Sequence, residues 1–322
     1  MSGPIVVTDH AFGGLDHERA VAEKFARELV VHQCRSEDEV VEALRGVEVA
    51  FVNLAPVTDE AIQAMPPGSV LIRYGIGVDN VDVQAADAHG VRVCNVPDYG
   101  ADTVADHAVA CLLALLRRTN QATQAIRRDG WLAAADLGQI RGFRETTVGL
   151  LGLGRIGRAV AARLRAFGFE ILAHDPYIDA SNAAAEGIRA VDLDELLERS
   201  HALSLHAPLT DQNRHLIGRH AISKMRTDAV IVNTSRGALV HEAELARALM
   251  EGRLGGAALD VFDPEPLAWD SPLRELDNVI LTPHAAFYSE SSLRALQRLA
   301  SEEAERALSG RPLRCEVTRR TP

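Results

Sequence analysis

Lysine is nearly absent from this 322-residue chain: Lys24 and Lys224 stand alone, and every other basic side chain is arginine. That leaves few candidates for Schiff-base chemistry. Cysteine is sparse as well. Cys34, Cys94, Cys111 and Cys315 are scattered with no CxxC pair, which argues against a disulfide framework or a zinc site and fits a reducing compartment. The longest apolar run, Ala108–Leu116, is far too short to span a bilayer, and MSGPIVVTDH lacks the charged start and apolar stretch of a signal peptide. A cytoplasmic protein with no membrane partner is expected. Excess positive charge is missing too: the net charge of −11 argues against a nucleic-acid-binding surface. No solenoid repeat, low-complexity linker or charge block interrupts the chain, and no segment after residue 322 offers a regulatory domain, so feedback control through one is not expected.

What is present is an alternation of short β-branched runs with amphipathic stretches. Ile5–Thr8, Val49–Leu54, Val70–Arg73 and Val91–Asn95 read as buried strands, with helices expected over Glu18–Leu29 and Ser36–Leu44. The second helix opens with Ser36 and Glu39, spaced as a capping box. Residues 102–129 hold a long helical stretch with an apolar centre suited to a core or a subunit interface. Strands then resume at Thr147–Leu151, Glu170–His174, Ala202–His206, Ala229–Asn233, Gly256–Val261 and Val279–Leu281, before a last helix over Ser289–Leu308. Such alternation predicts an α/β protein with two doubly wound parallel-sheet domains.

The strongest motif lies in residues 148–175, where Gly152-x-Gly154-x-x-Gly157 follows a strand, opens a helix, and precedes a second strand ending at Asp175. Gly152 allows the tight turn, Gly154 lets a pyrophosphate approach the backbone, and Gly157 lets the helix pack close to the sheet. The helix N-terminus attracts the phosphates, and Arg155 adds local positive charge. Asp175, 18 residues after Gly157, suits the ribose diol and repels a 2′-phosphate, so NAD is expected over NADP.

Open α/β sheets bind ligands at the carboxyl ends of their strands. Three side chains follow three strands there: Arg236, Glu265 and His284. Reduction of a 2-oxo acid needs a hydride donor, a proton for the forming alkoxide and a clamp for the carboxylate. NADH supplies the first. His284 suits the second, with Glu265 to fix the ring and favour the imidazolium. Arg236 suits the third. Prolines flank Glu265 and restrict its backbone. Of the twelve histidines, His206 follows a strand and borders the cofactor, His107 reads as a packing or interface residue, and His215 and His220 read as surface. Their spacing fits no usual metal site, and no metal is expected.

In these motifs the chain resembles the D-isomer-specific 2-hydroxyacid dehydrogenases over essentially its whole length: YGIGVDNVD (74–82), NVPDYGADTVADHAVA (95–110), the GLGRIG turn, VNTSRGALV (232–240), AALDVFDPEP (257–266) and LTPHAA (281–286). The resemblance implies Arg236, Glu265 and His284 as the catalytic set. It implies a flavodoxin-like substrate domain from 1–100 with 291–322, closing over a Rossmann NAD-binding domain from 101–290, and a homodimer built on the helix at 102–118. Expected cofactor contacts are Gly152, Gly154, Arg155, Ile156, Gly157, Asp175, His206, Ala207, Pro208, Asn213, Thr234, Ser235, Asp260 and Ile76. Expected substrate contacts are Arg73, Gly75, Gly77, Phe287 and Leu54; Leu54, Tyr74 and Phe287 suggest a 2-oxo acid with an apolar side chain. DPYID (175–179) and TPHAAFYSESS (282–292), with Arg73, look most like the carboxy-terminal binding protein branch. Phe287 stands where that branch often has Trp, and Ile76 where a hydroxyl residue often meets the cofactor phosphate. Two other readings follow: an NAD(H)-sensing, corepressor-like scaffold, and a phosphoglycerate-type dehydrogenase.

Overall fold

The computed structural model describes residues 3–317 and divides the chain into two compact units, 1–100 with 289–322 and 101–288. The first unit runs β1 (Ile5–Val7), α1 (Asp16–Lys24), β2 (Leu29–Val31), α2 (Glu37–Leu44), β3 (Val49–Val52), α3 (Asp59–Gln63), β4 (Val70–Arg73), α4 (Val83–His89) and β5 (Arg92–Cys94). Its strands pair in parallel in the order β2-β1-β3-β4-β5. Alternate residues feed two cores, one on each face: Val6, Ala50, Val52, Leu71 and Val93 on one side, Ile5, Val7, Phe51 and Ile72 on the other. Burial on both faces explains why these strands read as continuous apolar runs. The capping box forms, with Ser36 Oγ accepting the Glu39 N–H and Glu39 Oε2 accepting the Ser36 N–H.

The helix expected over Glu18–Leu29 is shorter at its C-terminal end. Helix α1 stops at Lys24, Ala26 takes a left-handed φ of 51°, and Leu29–Val31 pairs with β1 as an edge strand. The apolar Leu29-Val30-Val31 run continued the helical pattern by coincidence, and only its sheet partner distinguishes it.

The second unit runs α5 (Ala101–Leu116), α6 (Thr119–Asp129), β6 (Thr147–Leu151), α7 (Arg155–Phe167), β7 (Glu170–His174), α8 (Ala180–Ala185), β8 (Arg189–Ala190), α9 (Leu193–Arg199), β9 (Ala202–Leu205), α10 (Arg219–Lys224), β10 (Val230–Asn233), α11 (Glu242–Met250), β11 (Gly256–Leu259) and β12 (Val279–Leu281). All seven strands are parallel, in the order β12-β11-β10-β9-β6-β7-β8. The winding reverses between β6 and β9, the switch point at which open sheets of this kind hold ligands. The helical stretch expected over 102–129 is two helices, separated where Arg118 adopts a φ of 53°. The apolar stripe of α5 (Ala105, Ala108, Val109, Leu112) packs with Val160 and Leu164 of α7 in the core on one face of the sheet.

The last helix, α12 (Glu290–Leu308), joins the first unit, where Leu296, Leu299, Ala300 and Ala304 pack with Val21 and Ala22 of α1. Both sheets are parallel with cores on both faces, as the alternation of sequence patterns predicts.

Candidate active site

At the switch point the loops after β6 and β9 press together. Gly152 has φ of 94°, and a Cβ there would lie 2.6 Å from the Ala207 nitrogen and 2.7 Å from the His206 carbonyl carbon. A Cβ on Gly157 would stand 2.4 Å from the Gly152 carbonyl oxygen, which is why α7 can lie so close to the turn. Gly154 is different: nothing lies within 4 Å of the position a Cβ would take. The chain itself demands two of the three glycines, while the third faces open space at the first turn of α7. The N–H groups of a first helical turn have no partner within the helix, and that space fits a pyrophosphate. Arg155 is exposed there, and Ile156 packs against the core.

Asp175, just past β7, accepts the Leu153 N–H at 2.8 Å through Oδ2 and the Tyr177 N–H at 2.9 Å through Oδ1. It fixes the glycine turn, and each oxygen keeps a lone pair for a ribose hydroxyl. Across the switch point, Ser235 Oγ donates to the Ala207 carbonyl at 2.6 Å. Asn213 donates to the Pro208 carbonyl and accepts the Thr210 N–H, both at 2.7 Å, closing the loop after β9. The Thr234 hydroxyl oxygen is buried without a hydrogen-bond partner among the described residues, as expected of a group that a ligand satisfies. His206 Nε2 lies 2.9 Å from Ser204 Oγ, and burial pushes its imidazole down to about 4, so it is neutral near pH 7. These features fit the dinucleotide that the glycine pattern implies.

The reactive groups follow β10, β11 and β12. After β10, Asn233 accepts the Ser235 N–H through Oδ1 and donates to the Arg236 carbonyl through Nδ2, locking the 233–236 loop. After β12, His284 Nδ1 lies 2.8 Å from Glu265 Oε2. Glu265 also accepts the Phe262 N–H at 3.0 Å through Oε1. Burial raises the Glu265 carboxyl, but hydrogen bonds from His284 and Phe262 and the charge of Arg236 outweigh it and hold the group below the usual carboxylate range. The peptide bonds before Pro264 and Pro266 are both cis. The ring of Phe287 meets that of His284 edge-on, with centroids 6.3 Å apart.

His284 sits at a φ of 53°, in the left-handed region that few non-glycine residues adopt. Its N–H donates to the Asp260 carbonyl at 2.8 Å. The Asp260 side chain, 2% exposed, accepts the Thr282 hydroxyl at 2.6 Å and the N–H groups of Ala285 and Ala286 at 2.8 Å. Asp260, expected as a cofactor contact, thus spends these bonds on the loop that carries His284. His107, read from sequence as a packing or interface residue, has Nε2 3.1 Å from Thr282 Oγ1. The one clue to it in the sequence is an imidazole at the head of the apolar run of α5, with no sign of its partner.

In the first unit, Arg73 ends β4, and Gly75, Ile76 and Gly77 follow it. Gly75 has φ of 142°, and a Cβ there would fall 1.5 Å from Arg73 Nη1, so the guanidinium folds over the glycine. The Ile76 carbonyl accepts Asn95 Nδ2 at 2.6 Å. Leu54 is 66% exposed, on a backbone held by Asp9, which accepts the N–H groups of Asn53, Leu54 and Ala55. Tyr74 does not line a binding surface. It is 2% exposed, stacks on Phe51 and donates to buried Glu18 at 2.8 Å, because its ring completes the core on that face of the sheet.

The second unit's sheet order, glycine turn and ionisable pair define a dinucleotide-binding α/β protein. Residues 109–286 match the model of the D-isomer specific 2-hydroxyacid dehydrogenase NAD binding domain, and the chain belongs to that family. It is 39% identical over 279 residues to the D-3-phosphoglycerate dehydrogenase of Methanocaldococcus jannaschii, a match covering 85% of this chain and 52% of that protein. The chain therefore spans about half the length of that relative. It is 37% identical to the glyoxylate reductase of Korarchaeum cryptofilum, covering 83% of this chain and 81% of the other. Among solved structures it resembles Aquifex aeolicus D-lactate dehydrogenase complexed with NAD and lactic acid, with TM-score 0.85 and 27% identity over 95% of this chain and 96% of that one.

Proposed function

We propose that this protein reduces a 2-oxo acid to the D-2-hydroxy acid with NADH, and runs the reverse oxidation. The observation that carries the reading is the 2.8 Å contact between His284 Nδ1 and Glu265 Oε2, on the sheet whose glycine turn fits the dinucleotide. Bound NADH supplies the hydride. Ionised Glu265 takes the Nδ1 proton as its hydrogen bond, which leaves Nε2 to give a proton to the forming alkoxide or to accept one from the alcohol. Arg236 pairs with the substrate carboxylate and polarises the adjacent carbonyl. Gly152, Gly154, Gly157 and Arg155 hold the pyrophosphate, Asp175 the ribose diol, and Thr234 supplies a hydroxyl to the cofactor. Arg73, Gly75, Gly77, Leu54 and Phe287 are the proposed substrate contacts, with an acid of apolar side chain preferred. A homodimer is the proposed assembly.

The test is NADH oxidation over a panel of 2-oxo acids, glyoxylate and pyruvate included, with chiral analysis of the product. We expect turnover with at least one acid and a D product. His284→Ala should abolish turnover and leave NADH binding nearly intact; a wild-type rate from that variant removes His284 from the mechanism. A phosphoglycerate-type activity is the second reading, favoured by the Methanocaldococcus relative's name. Oxidation of 3-phosphoglycerate with NAD, faster than any reaction of the panel, selects it. The corepressor-like branch rests on the 175–179 and 282–292 motifs alone, since the named relatives are phosphoglycerate dehydrogenases and a glyoxylate reductase rather than members of that branch. Negligible turnover, with a protein partner retained only when NAD(H) is present, selects the scaffold reading.

A further inference from the structure

We propose that His107 is a positioning residue for His284, acting through Thr282 and Asp260. The inference rests on the acid/base role given to His284 above. Thr282 Oγ1 lies between His107 Nε2, at 3.1 Å, and Asp260 Oδ1, at 2.6 Å. A hydroxyl has one proton to give. Asp260 is an acceptor, since its two oxygens take the Ala285 and Ala286 N–H groups, so the short bond carries the Thr282 proton toward it. The threonine oxygen must then accept from His107, which places a hydrogen on Nε2. The direction of the chain is thereby set: His107 donates to Thr282, and Thr282 donates to Asp260.

Asp260 in turn holds three consecutive residues. Its carbonyl accepts the His284 N–H, and its carboxylate accepts the next two. His284 needs this restraint because its left-handed backbone persists only where the surroundings over-determine it. A carboxylate that is 2% exposed needs each of its hydrogen bonds, because desolvation leaves it no water to replace them. His107 Nε2 also lies 3.9 Å from Asp260 Oδ1. The anchor is rigid: α5 buries Ala105, Ala108, Val109 and Leu112 in the core, so His107 fixes the 282–286 loop to a packed helix.

The test compares Thr282→Val, Thr282→Ser, His107→Phe and the Thr282→Val/His107→Phe pair in the full chain, reading amide hydrogen exchange and steady-state kinetics. We expect faster exchange at Ala285 and Ala286 in Thr282→Val and His107→Phe. In those variants kcat should fall about ten- to hundredfold with KM for the 2-oxo acid little changed, the scale of a small misplacement of a reacting group. Thr282→Ser, which keeps the hydroxyl, should restore both. The double variant should lose no more than Thr282→Val alone, because the two act in series. Unchanged exchange in Thr282→Val overturns the proposal, as do additive losses or a Thr282→Ser no better than valine. A general rise in exchange across the second unit overturns it too, as a packing defect. If the wild type reduces no 2-oxo acid, the functional reading fails, and the exchange measurement still decides the relay.

Discussion

A Cβ at Gly237 would stand 2.0 Å from the Phe262 carbonyl carbon and 2.1 Å from its oxygen. The loop that carries Arg236 is thus pressed directly onto the backbone of the loop that carries Glu265. Both obstacles are main chain, so neither can swing aside as a side chain would. Gly237→Ala should separate the loops, lowering stability by about 1–3 kcal/mol, the usual scale of a forced backbone shift, and reducing turnover. Thermal unfolding and NADH oxidation measure both. A variant with wild-type melting temperature and rate would show that the close approach has no consequence.

The glycine turn separates a demand of the fold from a demand of the ligand. Gly152→Ala meets backbone at 2.6 Å and a φ of 94°, so it should destabilise the unit by about 2 kcal/mol or more. Gly154→Ala meets nothing within 4 Å beyond its own stretch of chain among the described residues and should keep the wild-type melting temperature. It should nevertheless weaken NADH binding at least about tenfold, because the added methyl stands where the pyrophosphate approaches the backbone. Calorimetric titration of both variants checks this. Equal NADH affinity in Gly154→Ala and wild type would mean that the open space is not the phosphate site.

Asp175 is expected to set the choice of cofactor. Asp175→Asn keeps the shape and one acceptor oxygen for the backbone, but removes the charge that repels a 2′-phosphate. The preference for NADH over NADPH should shrink about tenfold, the difference between a charge-assisted hydrogen bond and a neutral one. The measurement is kcat/KM for both cofactors in wild type and variant. A wild type that prefers NADPH, or a variant with an unchanged ratio, would remove this role.

The parts of the fold legible in sequence were those set by burial and local chemistry. Strands β3, β4, β6, β9 and β10 are buried on both faces, which forces continuous apolar runs. The glycine turn announced itself by spacing, and His284 with Glu265 by following strands on one sheet edge. What stayed hidden depended on distant partners or on single backbone angles. Strand β8, Arg189–Ala190, has no apolar run of its own and exists by pairing with β7. The break between α5 and α6 is one φ at Arg118. Tyr74 sits beside a functional-looking loop, yet its partner Glu18 lies 56 residues back. His107 and Thr282 are 175 residues apart, so no local pattern could join them.

His206 makes stability depend on pH with a defined sign. In the folded chain its imidazole sits near 4, against an ordinary value of 6.5, because burial penalises the cation. As pH falls below 6.5 the unfolded chain takes up a proton there while the folded chain does not, so unfolding is favoured increasingly until about pH 4. Above pH 6.5 this contribution is constant. His206→Gln has no group to titrate, and comparing the two proteins cancels the carboxylates they share. The melting temperature of wild type should therefore fall relative to His206→Gln between pH 6.5 and about 4, and stay parallel to it at higher pH. Parallel curves through the acid range would show that the imidazole is as solvated in the folded chain as in the unfolded one.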